Sequence, residues 1–240
     1  MQNRSHEEKG DPATNGSSPR GKMKRRTERA VTNLLLKWFR KHGRDYPWRN
    51  ETDPYRVMIA EIMLQRTKAD QVMPVYQLFL RKFPDPYALA DAPSEEIEDI
   101  FAMLGLKWRA KKVEELARVL VSRYNGQIPR SREELLSLPG VGEYIADAVL
   151  CFAYSMNVAV VDVNVCRVIR RVFGVKPRGE ARRDSRFRRI AQRLVPPKET
   201  RKFNWAIIDF AALVCTPQKP KCGECPLQEL CSFNRAKRYK

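Results

Sequence analysis

Four cysteines, Cys215, Cys222, Cys225 and Cys231, lie close together, with six, two and five residues between successive members. Thiolates this close can all face one metal centre. A mononuclear four-cysteine zinc site and a four-thiolate iron–sulfur cluster both suit the spacing. Cys151 and Cys166 stand alone in apolar helical patterns and read as buried structural thiols. A second grouping is Leu138-Pro139-Gly140-Val141-Gly142. Two glycines at this spacing permit a tight hairpin between helices and leave backbone N–H groups open at a helix N-terminus. That geometry accepts a phosphate oxygen, although an ordinary helix–helix turn has the same pattern. Asp162 precedes Arg167, Arg170 and Arg171. It reads as a plain helix N-cap or as a carboxylate at the mouth of a cleft. Glu61, between Ala60 and Ile62 on an apolar helix, reads as a satisfied structural carboxylate or as a proton donor with a raised pKa.

The elements that must position these groups are helical. Apolar residues recur at helical spacing along Val31–Trp38, Val57–Leu64, Val72–Phe83, Ile97–Leu104, Ala110–Tyr124, Leu135–Leu136, Tyr144–Tyr154, Val163–Phe173, Phe187–Leu194 and Phe203–Val214. Only Asn157–Val161 alternates as a strand would. The prediction is an all-α protein of roughly ten helices joined by short turns containing Pro or Gly. Asp53-Pro54 predicts a capped helix start, and Ser131 with Glu134 a capping box. Residues 1–26 are rich in Gly, Ser, Pro and charge and read as a disordered basic tail. Two helical subdomains are expected, 52–156 forming one and 27–51 with 157–240 the other, with a cleft between them.

The formal charge of +18 over 240 residues favours a polyanionic partner. Nucleic acid ranks ahead of an anionic membrane surface. No stretch reaches the roughly 18 apolar residues of a membrane span, and the N-terminus lacks a signal-peptide core. The expectation is an intracellular protein of the cytoplasm or nucleoid, where clustered cysteines act as ligands rather than disulfides.

Leu138–Gly142, Asp162 about twenty residues later and the cysteine spacing together resemble the helix-hairpin-helix DNA glycosylases of the endonuclease III and MutY type. The resemblance runs from Asp45-Tyr-Pro-Trp-Arg49 to Cys231. It implies two helical subdomains, a DNA-binding cleft between them and a C-terminal loop whose four cysteines hold a [4Fe–4S] cluster. It also implies that Asp162 is the essential carboxylate. Cleaving an N-glycosidic bond builds positive charge on the sugar, which a carboxylate stabilises while helping to activate water. The base must first be flipped out of the helix.

Bifunctional members carry a Schiff-base lysine two residues after the hairpin's second glycine. This chain has Tyr144 there and no lysine from Val113 to Val175. A monofunctional enzyme using water is therefore expected. A histidine base is not expected, because the only histidines are His6 and His42. Asp53–Thr67 resembles the motif shared by MutY-type adenine glycosylases and the thymine mismatch glycosylases of the Mig group. That likeness makes Glu61 a carboxylate that protonates the base or places water, and Gln65 and Arg66 residues that enter the duplex. Gly140, Val141 and Gly142 would hold the phosphate backbone, and Tyr144, Ala69, Asn204 and Trp205 would line the base pocket. Gln65-Arg66-Thr67-Lys68-Ala69 and Asp162-Val163-Asn164 depart from the adenine pattern. Adenine enzymes usually carry a further C-terminal domain, whereas this sequence runs nine residues past Cys231. Trp205 departs from both groups.

The expected function is removal of thymine or uracil mispaired with guanine, by a monomer acting on double-stranded DNA and leaving an abasic site. An adenine glycosylase acting on mismatches with guanine or 8-oxoguanine, and a non-catalytic DNA-binding module, are the alternatives.

Overall fold

The computed structural model describes residues 19–238, all of them helix, turn or irregular segment. The expected tail lies outside the described residues as far as residue 18. From Pro19 the chain is already α-helical, so the boundary expected at Thr27 moves back. Proline suits a first helical turn, and the Lys, Met and Arg residues of 22–26 are good helix formers.

Among the described residues there are twelve α-helices: α1 (Pro19–His42), α2 (Pro54–Met63), α3 (Ala69–Lys82), α4 (Pro86–Ala90), α5 (Ser94–Ala102), α6 (Ala110–Tyr124), α7 (Arg132–Ser137), α8 (Glu143–Phe152), α9 (Val163–Phe173), α10 (Ser185–Leu194), α11 (Thr200–Leu213) and α12 (Ser232–Arg238). The helices beyond the expected ten are α4 and α12, each too short to show periodicity. The strand candidate is instead an extended link from α8 to α9. Its backbone is satisfied by side-chain amides in place of a neighbouring strand: Ala159 N–H donates to Gln192 at 2.9 Å and Val160 N–H to Asn204 at 2.9 Å.

The expected caps form. Asp53 accepts from the N–H groups of Tyr55 and Arg56 at 2.8 and 3.2 Å, with Pro54 opening α2. Ser131 accepts from Glu134 N–H at 3.3 Å, but its hydroxyl bonds the Glu133 carboxylate, so the side-chain partner is one residue earlier than the capping box predicts.

Two apolar cores organise the molecule. One gathers α2, α3, α5, α6 and α8 around Met58, Ile59, Phe79, Phe101 and Leu116. The other gathers α1, α9, α10 and α11 around Leu35, Ile169, Phe187, Phe203 and Phe210. Each such side chain contributes about 1.5–3 kcal/mol by burial. Tyr46, Trp48 and Val160 pack in the first core. The two cores are joined by specific contacts. Trp205 of α11 stacks on Phe152 of α8 with ring centres 5.2 Å apart. Asp147 of α8 is fully buried between Arg132 of α7, at 2.9 Å, and Arg188 of α10.

Candidate active site

A cleft is lined by Gln65, Arg66, Gly140, Gly142, Tyr144 and Asp162, together with Arg109, Asn164, Glu180, Arg182 and Arg183. The segments that place these groups follow from local chemistry. Gly140 takes φ +76°, a left-handed conformation that favours glycine. Gly142 caps α8, and a Cβ on it would meet open space. The first N–H groups of α8 have no intrahelical acceptors, and Gly142, Glu143 and Tyr144 line the cleft. Val141 is different. Its side chain is buried in the first core and its N–H donates to Leu138 O at 3.2 Å, so it shapes the hairpin from behind.

Asp162 is an N-cap and a cleft residue together. One carboxylate oxygen accepts from the N–H groups of Asn164 and Val165 at 2.9 and 2.7 Å, and the other accepts from the Asn164 side-chain amide at 2.5 Å. The half-buried carboxylate is thereby fixed in orientation at the N-terminus of α9, where the helix dipole favours its negative charge.

Glu61 is 4% exposed and lies behind the cleft, reached through Tyr144, whose hydroxyl donates to Glu61 at 2.8 Å. Burial pushes the Glu61 carboxyl up to about 7. The Tyr144 hydroxyl and the Arg49 charge pull it down, and the Asp162 charge pushes it up. Burial, with the neighbouring Glu61 and Asp162 charges, raises the Tyr144 phenol well above its ordinary value. A buried carboxyl with a raised pKa, a phenol bonded to it and the Asp162 side chain thus lie together at one end of an arginine-lined cleft.

Two expected pocket residues face elsewhere. Asn204 is 1% exposed, and its amide is consumed by Val158 O, Thr200 O and Cys151, while its oxygen takes Val160 N–H. It staples the α8–α9 link. Trp205 is sandwiched by Phe152 and the guanidinium groups of Arg49 and Arg201. Ala69 opens α3 against the first core and is not part of the cleft lining. Arg49 is a residue whose part was not read from the sequence. It is buried, acts on Glu61 and Tyr144 through its charge, and is held by Asp209 at 2.7 and 2.8 Å. Burial would raise the Asp209 carboxyl, but its bonds from Arg49 and Arg44 outweigh that and hold it low. The segment Asp45-Tyr-Pro-Trp-Arg49 was the available signal; the partner of Arg49 lies 160 residues away.

All four clustered cysteines line one pocket between α9, α11 and α12. Four thiols lining one pocket are a donor set that an inorganic group with thiolate ligands requires. Arg171, at the far end of α9 from Asp162, donates to Cys215 Sγ at 3.4 Å and to the carbonyls of Thr216 and Pro217 at 2.7 Å each. Its charge suits thiolate ligands. Cys151 and Cys166 are buried, and burial pushes both thiols up to about 12.

A hairpin before a capped carboxylate, a basic cleft and a four-cysteine loop define a DNA-repair architecture, and the chain belongs to the HhH-GPD superfamily of base excision DNA repair proteins, whose profile matches residues 59–197. Residues 215–231 match the iron–sulfur binding domain of endonuclease III. The chain is 41% identical to the thymine-DNA glycosylase of Aeropyrum pernix, covering 85% of this chain and 94% of that one. It is 43% identical to the thymine/uracil-DNA glycosylase of Pyrobaculum aerophilum, covering 84% and 90%. A solved thermostable thymine-DNA glycosylase superposes with a TM-score of 0.85 at 36% identity, covering 89% of this chain and 99% of its own. The molecule is thus a base-excision DNA glycosylase with an iron–sulfur binding loop. No helix among the described residues is long and apolar enough to cross a membrane.

Proposed function

We propose that the protein is a monomeric, monofunctional glycosylase that releases thymine or uracil opposite guanine and leaves an abasic site. The observation that carries this reading is the composition of the cleft: Asp162 and the Tyr144–Glu61 pair sit together, and no lysine is among the lining residues. Relatives of similar length named for thymine and uracil support the choice of base.

In this mechanism the extruded base enters beside Tyr144. The bond from the sugar C1′ to the base nitrogen breaks, and its electron pair passes to the base. Glu61, buried and hydrogen-bonded, delivers a proton to the departing base directly or through water. Asp162 stabilises the cationic sugar and takes the proton of the water that attacks C1′. Gly140, Gly142 and the first amides of α8 hold phosphate. Because no lysine lines the cleft, no imine forms and the strand stays intact. A wobble pair is easier to unstack than a matched one, which supplies part of the selectivity. The four cysteines would hold a [4Fe–4S] cluster that braces the loop and performs no step on the base.

Single-turnover base release on duplexes with T:G, U:G, A:G and A:8-oxoguanine tests the reading. Release is expected from T:G and U:G, and Asp162→Asn should slow it at least about 100-fold while duplex binding persists. Release confined to adenine would replace thymine with the adenine alternative. Full activity in Asp162→Asn would remove the carboxylate from the mechanism, and a borohydride-trapped complex would overturn the monofunctional assignment.

A further inference from the structure

A second groove lies between the start of α2, the turn before α4 and the link from α6 to α7. Tyr55, Tyr124 and Tyr154 line it together with Pro54, Pro86 and Pro129. Its walls are fixed from behind. The Tyr55 hydroxyl donates to Phe83 O at 2.9 Å, and the Tyr154 hydroxyl donates to Ile128 O. Gly126, at φ +71°, lets the α6–α7 link pass against the Tyr87 ring, where a Cβ would collide. The groove stands at the pole of the first subdomain away from the cleft. The cleft is lined where α2 has ended and α8 begins, at Gln65 and Gly142. The groove is lined where α2 begins and α8 has ended, at Pro54 and Tyr154. Each helix has ten residues, so the two sites are separated by about 15 Å of helix. A duplex seated on the hairpin therefore leaves this face open.

The charge here runs against the rest of the molecule. On a chain of net +18, the groove carries Asp53, Asp85 and Glu134. Asp53 lies 4.0 Å from Arg56. Asp85 gives one oxygen to the N–H groups of Tyr87 and Ala88, at 2.9 Å each. Neither Asp85 nor Glu134, both exposed, has an ion-pair partner among the described residues. They come from different walls, Asp85 from the cap of α4 and Glu134 from α7. Arg130 stands four residues before Glu134, yet its guanidinium lies over the Tyr154 ring, 4.9 Å from the ring centre. One ring of the groove thus already accepts a guanidinium on its face, while the neighbouring carboxylate is left without a cation.

We propose that this groove docks an extended, proline-containing segment of a partner protein that carries arginine beside its prolines. A trough of tyrosine rings and prolines suits the polyproline II conformation, which is formed in advance and loses little entropy on binding. Arginine fits the carboxylates and the rings together, because its planar guanidinium bonds a carboxylate through two N–H groups and stacks on aromatic faces. The net field of the molecule repels a cationic peptide, so the attraction must arise from these local carboxylates. The proposal goes beyond base release and stands whichever base the cleft removes.

The test uses the full chain and fluorescein-labelled peptides, with binding read by anisotropy. One peptide repeats proline-proline-arginine. A second has glutamine for each arginine, and a third keeps the arginines but has glycine for each proline. The first is expected to bind about tenfold more tightly than either of the others. Asp85→Asn combined with Glu134→Gln keeps a capping oxygen at the start of α4. It should reduce the arginine peptide to the level of the glutamine peptide, while base release and the thermal midpoint stay as in wild type. Added salt should weaken the arginine peptide on wild type and not on the double variant. Absence of saturable binding, equal binding of the arginine and glutamine peptides, or unchanged binding by the double variant would overturn the proposal. Binding that appears only after residues 1–18 are removed would make the chain's own N-terminal segment the occupant and overturn the partner reading.

Discussion

Glu61 combines an acidic side chain with an environment that holds it near neutral. Its carboxyl rises from an ordinary 4.5 to about 7, chiefly by burial. Between those values the native state keeps a proton that the unfolded chain has released, so native stability falls as pH rises through this window. That rise corresponds to roughly 3 kcal/mol as an upper figure. Glu61→Gln removes the titration while keeping an acceptor for Tyr144. Denaturant unfolding from pH 4 to pH 8 should therefore show Gln gaining on Glu by up to about 3 kcal/mol. A constant offset across that range would mean that Glu61 does not carry a raised pKa. The same proton bears on the proposed chemistry. Base release by wild type should decline as pH passes about 7, where Glu61 loses its proton, and single-turnover rates in Glu61→Gln should be lower and lack that step.

At the scale of elements, α9 links the two ends of the second subdomain. Asp162 caps its start, while Arg167 and Arg171 on its later turns hold the carbonyls of Ala211, Cys215, Thr216 and Pro217. The cysteine loop is thereby tied to α9 from one side, and the proposed cluster would tie it from within. Loss of the cluster in Cys225→Ser should expose the loop at Lys219 and Lys221 to trypsin, while fragments spanning the first core resist. Equal protease resistance with and without bound iron would show that the arginines alone hold the loop. Such long-range ties explain which features were legible in the sequence. Local signals read well: the helical periodicities, the Asp53 and Asp162 caps and the cysteine spacing depend on neighbours within a few residues. The resemblance put Asn204 and Trp205 in the base pocket, and helical periodicity does not say which neighbour a buried polar side chain meets. Asn204 turns to the α8–α9 link, whose alternating pattern had suggested a strand. The Arg49–Asp209 pair joins segments with no sequence relation, and only the folded chain brings it behind Glu61.

Over the whole molecule, a charge of +18 can act on DNA in two ways that have different signatures. A diffuse field raises the rate of encounter but changes little when one charge is removed. A set of discrete phosphate contacts releases one counterion group per contact, and each contributes close to one unit to the slope of log K against log salt. The cleft favours the second description on its outer wall. Arg182 and Arg183 are exposed there, and both pair with the single carboxylate of Glu180 on the same loop, at 3.1 Å in the case of Arg183. One acid cannot neutralise both, so a guanidinium remains for phosphate. Arg183, 86% exposed at its side chain, makes no buried contact whose loss would disturb the fold. Arg183→Ala should therefore flatten the salt slope by about one unit, equally on matched and mismatched duplexes, because phosphate carries no sequence. Glu180→Gln should strengthen binding to both by freeing the two arginines. Titrations from 50 to 200 mM salt, in the range where each contact changes affinity measurably, decide the matter: an unaltered slope in Arg183→Ala would assign the attraction to the field of the whole chain and leave the cleft wall as one part of it.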